Sequence, residues 1–157
     1  YRFFCCHTNG WNDQVNNCQM RRLSKMPGEN NLSKLLANLS PALTEEEYVF
    51  CTFINSSYGD FSELKPVASV MEKEGLSLVL EKKKAEMANI KFQSSFRCIS
   101  LGVHSDLISI GLTAKISSAL CENGISSNII AGYFHDHVFV PVSQAERALE
   151  VLSKLIK

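Results

Sequence analysis

The chain has 157 residues, 45% hydrophobic and 20% charged, which is enough apolar material for one soluble globular unit or two small modules sharing a core and excludes a disordered chain. Sixteen Lys and Arg balance sixteen Asp and Glu, so no bulk basic field would hold a phosphate backbone, and nucleic-acid binding is not expected. No apolar run approaches the ~18 residues of a membrane span, so no membrane attachment is expected either.

Residues 1–25, rich in Asn, Cys and Arg, have neither helical nor strand periodicity. Met26 reads as the natural beginning, with 1–25 an unstructured or non-native leader. A metal knot of Cys5, Cys6, His7 and Cys18 is disfavoured, because two adjacent ligands and a long gap do not match the paired spacing of zinc sites. The six cysteines form no CxxC pair. Cys51, Cys98 and Cys121 lie in apolar stretches and read as small buried thiols, which points to a reducing, cytoplasmic compartment.

Leu32, Leu35, Leu36 and Leu39 follow the i, i+3, i+4, i+7 spacing of an amphipathic helix, stopped by Pro41. Residues 47–54, "EYVFCTFI", predict a buried strand, and 56–60 a turn. Residues 67–81 predict two strands joined at a turn ending in Gly75, and "KKKAEMANI" a short helix with a solvated lysine face. "FRCISLGV" (96–103) predicts a strand, followed by a loop and a helix with an apolar stripe of Leu112, Ile116, Ala119 and Leu120. Asn123 and Gly124 end it. Strands at 125–132 and 137–142 and a last helix from Ala145 complete the order β-α-β-β-α. Such halves folding onto one sheet, with helices on one face, make a ferredoxin-like α+β sandwich.

Three places could carry chemistry. His135 and His137 are spaced to share one face of a strand, yet a metal needs at least a third ligand, so a hairpin turn and a sheet surface are the plainer reading. Residues 103–117 hand a strand over to a helix through a loop ending in Gly111. The unpartnered N–H groups at a helix start favour an anion such as a carboxylate, and Gly111 would let it approach the backbone. Equally, Ser109 could cap the helix and Gly111 merely permit close packing. His104, Ser105 and Asp106 could be read as hydrolytic, but consecutive residues rarely converge as nucleophile, base and orienter. Asn128, in an apolar strand, would need partners if buried, and would approach this loop if its strand paired beside that of 96–103.

Residues 96–142, with "GLTAKISSAL", "NGIS", "NII" and "AGYFHDHVFVP" in order, resemble an ACT domain. "YVFCTF" and "ELKPVASVMEKEGLSLVLE" before them are similar to the first half of small proteins with two tandem ACT-like modules. The second half is more distantly similar to modules of the cytosolic arginine sensor. The resemblance divides the chain into 1–25, an N-terminal ACT-like module over 26–94 and a C-terminal ACT domain over 95–157. It implies an ACT-type βαββαβ sandwich whose modules share or abut sheets, and a non-catalytic regulatory protein that binds an amino acid or similar small carboxylate. The ligand positions implied are His104, Ser105, Asp106, Ile110, Gly111, Leu112, Asn128 and Ile129. No cofactor or metal is implied. The first half departs from the pattern by opening with a helix, and no closing strand follows the last one. Interlocked halves would account for this, and an open sheet edge would favour a homodimer. A protein-binding scaffold and a small His-dependent or metal enzyme are the alternatives.

Overall fold

The computed structural model describes residues 28–156. The proposed leader and the cysteines at 5, 6 and 18 lie outside the described residues.

A six-stranded antiparallel sheet organises the chain, in the order β2-β3-β1-β4-β6-β5. In sequence the elements are α1 (Leu32–Ala37), β1 (Pro41–Phe53), β2 (Ala68–Met71), β3 (Leu76–Glu81), α2 (Lys82–Met87), β4 (Ser95–Leu101), α3 (Leu112–Glu122), β5 (Asn128–Ala131), β6 (Asp136–Pro141) and α4 (Ala145–Ser153). The order is palindromic: β1, β3 and β2 run outward on one side as β4, β6 and β5 do on the other. This is the ferredoxin-like pattern twice, joined where β1 pairs with β4. Each central strand thus occupies the place beside the other half's first strand where a closing strand would lie. The halves are interlocked in one sheet.

β1 begins at Pro41, six residues before the predicted strand. Its first part, "PALTEEE", lacks the apolar alternation that marks a strand and is held by β4 instead, with Pro41 opposite Leu101 and Leu43 opposite Ile99. The register shifts between Leu43 and Glu47. At that bulge the Thr44 carbonyl accepts from Arg97 Nε (2.8 Å) and Nη2, while the Thr44 hydroxyl donates to the Cys98 carbonyl (3.2 Å). Side chains thus serve the Thr44 and Cys98 carbonyls where the register shifts.

Alternation along the strands separates two faces. On the helix-covered face, Ile99, Leu101, Val138 and Val140 pack against Leu112, Ile116 and Leu120 of α3 and Ala148 and Leu152 of α4. Leu35, Leu36 and Leu39, at and after α1, join this same core, so a helix from the first half fills the second. A smaller core gathers Val49, Cys51, Leu76, Leu78, Leu80 and Ala85, with Phe53 stacked on Phe61 at 4.0 Å. The other face carries Tyr48, Val79, Cys98 and Phe139, with Ala68, Phe96 and Ile130. No helix among the described residues packs on it. Of the cysteines expected to be buried, Cys51 and Cys98 are, but Cys121 is exposed. It follows Leu120 by one helical step of ~100°, which carries it off the apolar stripe.

Candidate functional site

The loop between β4 and α3 is held from outside. Glu29 N–H donates to the His104 carbonyl (3.0 Å) and Asp106 N–H donates to the Glu29 carbonyl (3.0 Å), forming a parallel bridge to Ser105. Gly28 makes this approach possible, since a Cβ there would stand 2.4 Å from the Asp106 nitrogen. Asp106 in turn closes the loop tip: Ile108 N–H reaches its Oδ1 (3.2 Å) and Ser109 N–H its carbonyl (2.8 Å). Its carboxylate is spent on the backbone, and Ser109 does not cap α3.

Gly111 occupies the capping position of α3 with φ +103, a left-handed conformation that side chains rarely adopt. The space a Cβ would take faces Leu32 Cδ2 at 3.1 Å, so the glycine also admits α1. No side chain caps α3 and its first turn holds no acidic residue, which leaves its leading N–H groups as donors at the positive end of the dipole. Ile110 is exposed beside them, whereas Leu112 is buried in the core and presents only its backbone.

Behind the loop lies the turn between β5 and β6. Asp136 is the buried charged residue of the described chain, and burial pushes its carboxyl above the ordinary range, opposed by the His137 charge, the Ser105 hydroxyl and the His135 charge. His135 Nδ1 stands 3.4 Å from the Val103 carbonyl, and the His104 ring lies 5.2 Å from that of Phe134. Spacing along the sequence does not mark Asp136. Its burial under Ser105 depends on the β6–loop contact, which no local pattern announces. His135 sits in the turn, outside β6, while His137 lies on the uncovered face with Nδ1 4.0 Å from Cys98 Sγ. The two histidines therefore do not share a strand face, and among the described residues no three His, Cys, Asp or Glu side chains gather to hold a metal.

Asn128 and Ile129 are not beside this loop. β6 lies between β5 and β4, and Asn128 pairs with Phe139, which pairs with Cys98, three residues before the end of β4. The expected neighbour of β4 was wrong by one strand, because the antiparallel hairpin keeps β5 and β6 together and sends β5 to the edge. Asn128 is exposed on the uncovered face, and Ile129, one residue on, turns to the core under the helices.

The ACT-domain pattern matches residues 27–97 and again 93–154. A solved protein of unknown function from Vibrio cholerae, described as a possible transport protein, is 44% identical over 80% of this chain and 96% of its own, with a TM-score of 0.73. The chain belongs to the ACT-domain family. Two ACT modules stand in tandem, and this supports a regulatory, ligand-binding class of role. The fold also resembles the regulatory subunit of aspartate kinase from Thermus flavus (13% identity, 77% of this chain, 99% of that one, TM-score 0.57). It likewise resembles Clostridium acetobutylicum aspartate kinase (16%, 75% of this chain, TM-score 0.58), of which it spans 34%. No curated protein matches the sequence. No described helix is long and apolar enough to cross a membrane.

Proposed function

We propose that this protein is a non-catalytic regulator that binds an amino acid or a similar small carboxylate at the loop of residues 104–112. The observation that carries the reading is the start of α3: an open set of N–H donors, no capping side chain, and a left-handed Gly111 in a loop pinned by Glu29. A carboxylate seated there would meet Leu112 and the following amides, with His104, Ser105 and Ile110 around it. The family supports the class of role, and the neighbours that are regulatory subunits of aspartate kinase share its fold.

Asn128 and the backbone of Ile129 would complete the site from a second copy, since β5 is a sheet edge that another chain can approach. A homodimer is therefore part of the proposal. The free thiols Cys51, Cys98 and Cys121 fit a reducing, cytoplasmic setting. Output would pass to a separate partner, through the ligand's different affinities for two states.

A thermal-shift panel of amino acids on the full chain tests this. A ligand at 100 times its dissociation constant adds about 2.7 kcal/mol and raises the melting temperature visibly. Thr113→Asp would place a carboxylate in the exposed first turn of α3, where it suits the helix but competes with a ligand carboxylate. The expected result is a narrow set of active amino acids whose shift disappears in Thr113→Asp while the unliganded melt holds or rises. Shifts with divalent metals alone would return attention to the histidines, and no shift at all would favour a protein-binding scaffold.

A further inference from the structure

On the sheet face that no described helix covers, Tyr48, Val79, Cys98 and Phe139 are nonetheless each 9% exposed or less. The sheet curls enough that its two edge strands meet the same hollow: Ala68 of β2 and Ile130 of β5, with four strands between them, both line two cavities of about 240 and 520 Å³. We propose that this concave face is a binding site for a small neutral aromatic molecule carrying one hydroxyl or ring N–H, of the phenol or indole class, and that it is separate from the loop site.

The shape of the guest follows from the walls. Tyr48 and Phe139 meet edge to face at 5.5 Å, Phe50 and Phe139 at 5.6 Å, and Phe50 and Phe96 at 5.2 Å. A further flat ring continues such a herringbone at the preferred geometry. Phe50, Val67 and Val70 remain substantially exposed around it, and a guest would bury that apolar surface. The smaller cavity falls just below the usual range for drug-sized ligands, which limits the guest to one or two fused rings.

Its charge follows from the lining. Around the inner cavity the polar groups are Thr44, Tyr48, Ser100, Cys98 and His137, with no Lys, Arg, Asp or Glu, while the outer cavity adds Glu72 and Glu74, which repel a carboxylate. Burial holds the Cys98 thiol up to about 11, so it is neutral near pH 7. A zwitterion or carboxylate would lose its hydration there with no Lys or Arg to receive it. A single hydroxyl or ring N–H fits better. The Thr44 hydroxyl already donates to the Cys98 carbonyl and keeps its lone pairs for a guest's proton, and Ser100 and His137 offer further partners.

The test is an NMR titration of the full chain with phenol and indole, and with benzoate and phenylalanine as charged counterparts, following Tyr48, Cys98, His137 and Phe139. Saturable shifts at these residues with the neutral compounds are expected, with affinity at least about tenfold weaker for the charged ones. Ala68→Trp fills the hollow from one edge and Ile130→Trp from the other. Either, with its thermal transition retained, should abolish the shifts. Absence of saturation, shifts confined to residues 104–112, or shifts that follow protein concentration without any guest would each overturn the proposal, the last by marking a second copy on this face. The two sites take different ligand charge and meet only at Asn128 and Ile129, which line the outer cavity but not the inner one, so the loop site can fail its amino-acid test without touching this one.

Discussion

Asp136 links protonation to stability. Its native value is raised by burial, so the folded state holds the proton more tightly than the unfolded chain does. The associated stability is full below the ordinary value of 3.8 and is lost as pH climbs through the raised native value. Asp136→Asn keeps a polar group near Ser105 without that ionisation. Its melting temperature relative to the parent should therefore rise between pH 3 and pH 7, and a gap that ignores pH would show that the carboxylate is already solvated. Glycines separate in the same way. Gly59 and Gly75 both have positive φ, but a Cβ at Gly75 would stand 2.4 Å from the Phe53 carbonyl oxygen while at Gly59 it meets nothing within 4 Å. Gly75→Ala should lower stability by roughly 1–3 kcal/mol, more than Gly59→Ala, when both are measured by urea unfolding. Gly75 and Gly124 were legible as turn and helix-end residues because their chemistry is local. Asp136 was not, because its burial comes from strands and loops distant in sequence.

Among the elements, α1 departs most from its place in the chain. Only six residues long, it would not persist alone in water, and its Asn31 cap, which accepts from Lys34 N–H at 3.1 Å, supplies little. What holds it is Leu35 and Leu36 in the core beneath α3 and α4. Leu35→Ala should cost about 2–5 kcal/mol and, since Leu32 abuts Gly111, should also loosen the loop of residues 104–112. Hydrogen exchange across that loop would show the coupling, and unchanged protection there would refute it. Apolar spacing alone revealed the helix, yet nothing in it named the partner. β1 was legible only over its apolar half, and the polar half became a strand through pairing with β4.

The two ACT modules make one continuous sheet, with β1 and β4 at its centre and core residues exchanged across the boundary. A fragment from residue 95 onward would expose the β4 edge and lose Leu35, Leu36 and Leu39. It is expected to give no cooperative thermal transition by circular dichroism, whereas the full chain should melt in one step. A fragment that melts like the parent would mean the modules are independent. By itself the sequence determined the tandem ACT organisation, most helices and strands, and the loop ending in Gly111, because periodicity, turn chemistry and family motifs are properties of neighbouring residues. Tertiary structure alone decided that β5 lies at the edge rather than beside β4, that α1 serves the other half, that Asp136 is buried, and that the bare face curls into a hollow. Each of these depends on which distant strands pair and how a six-stranded sheet twists, and those choices are made by the whole set of contacts at once.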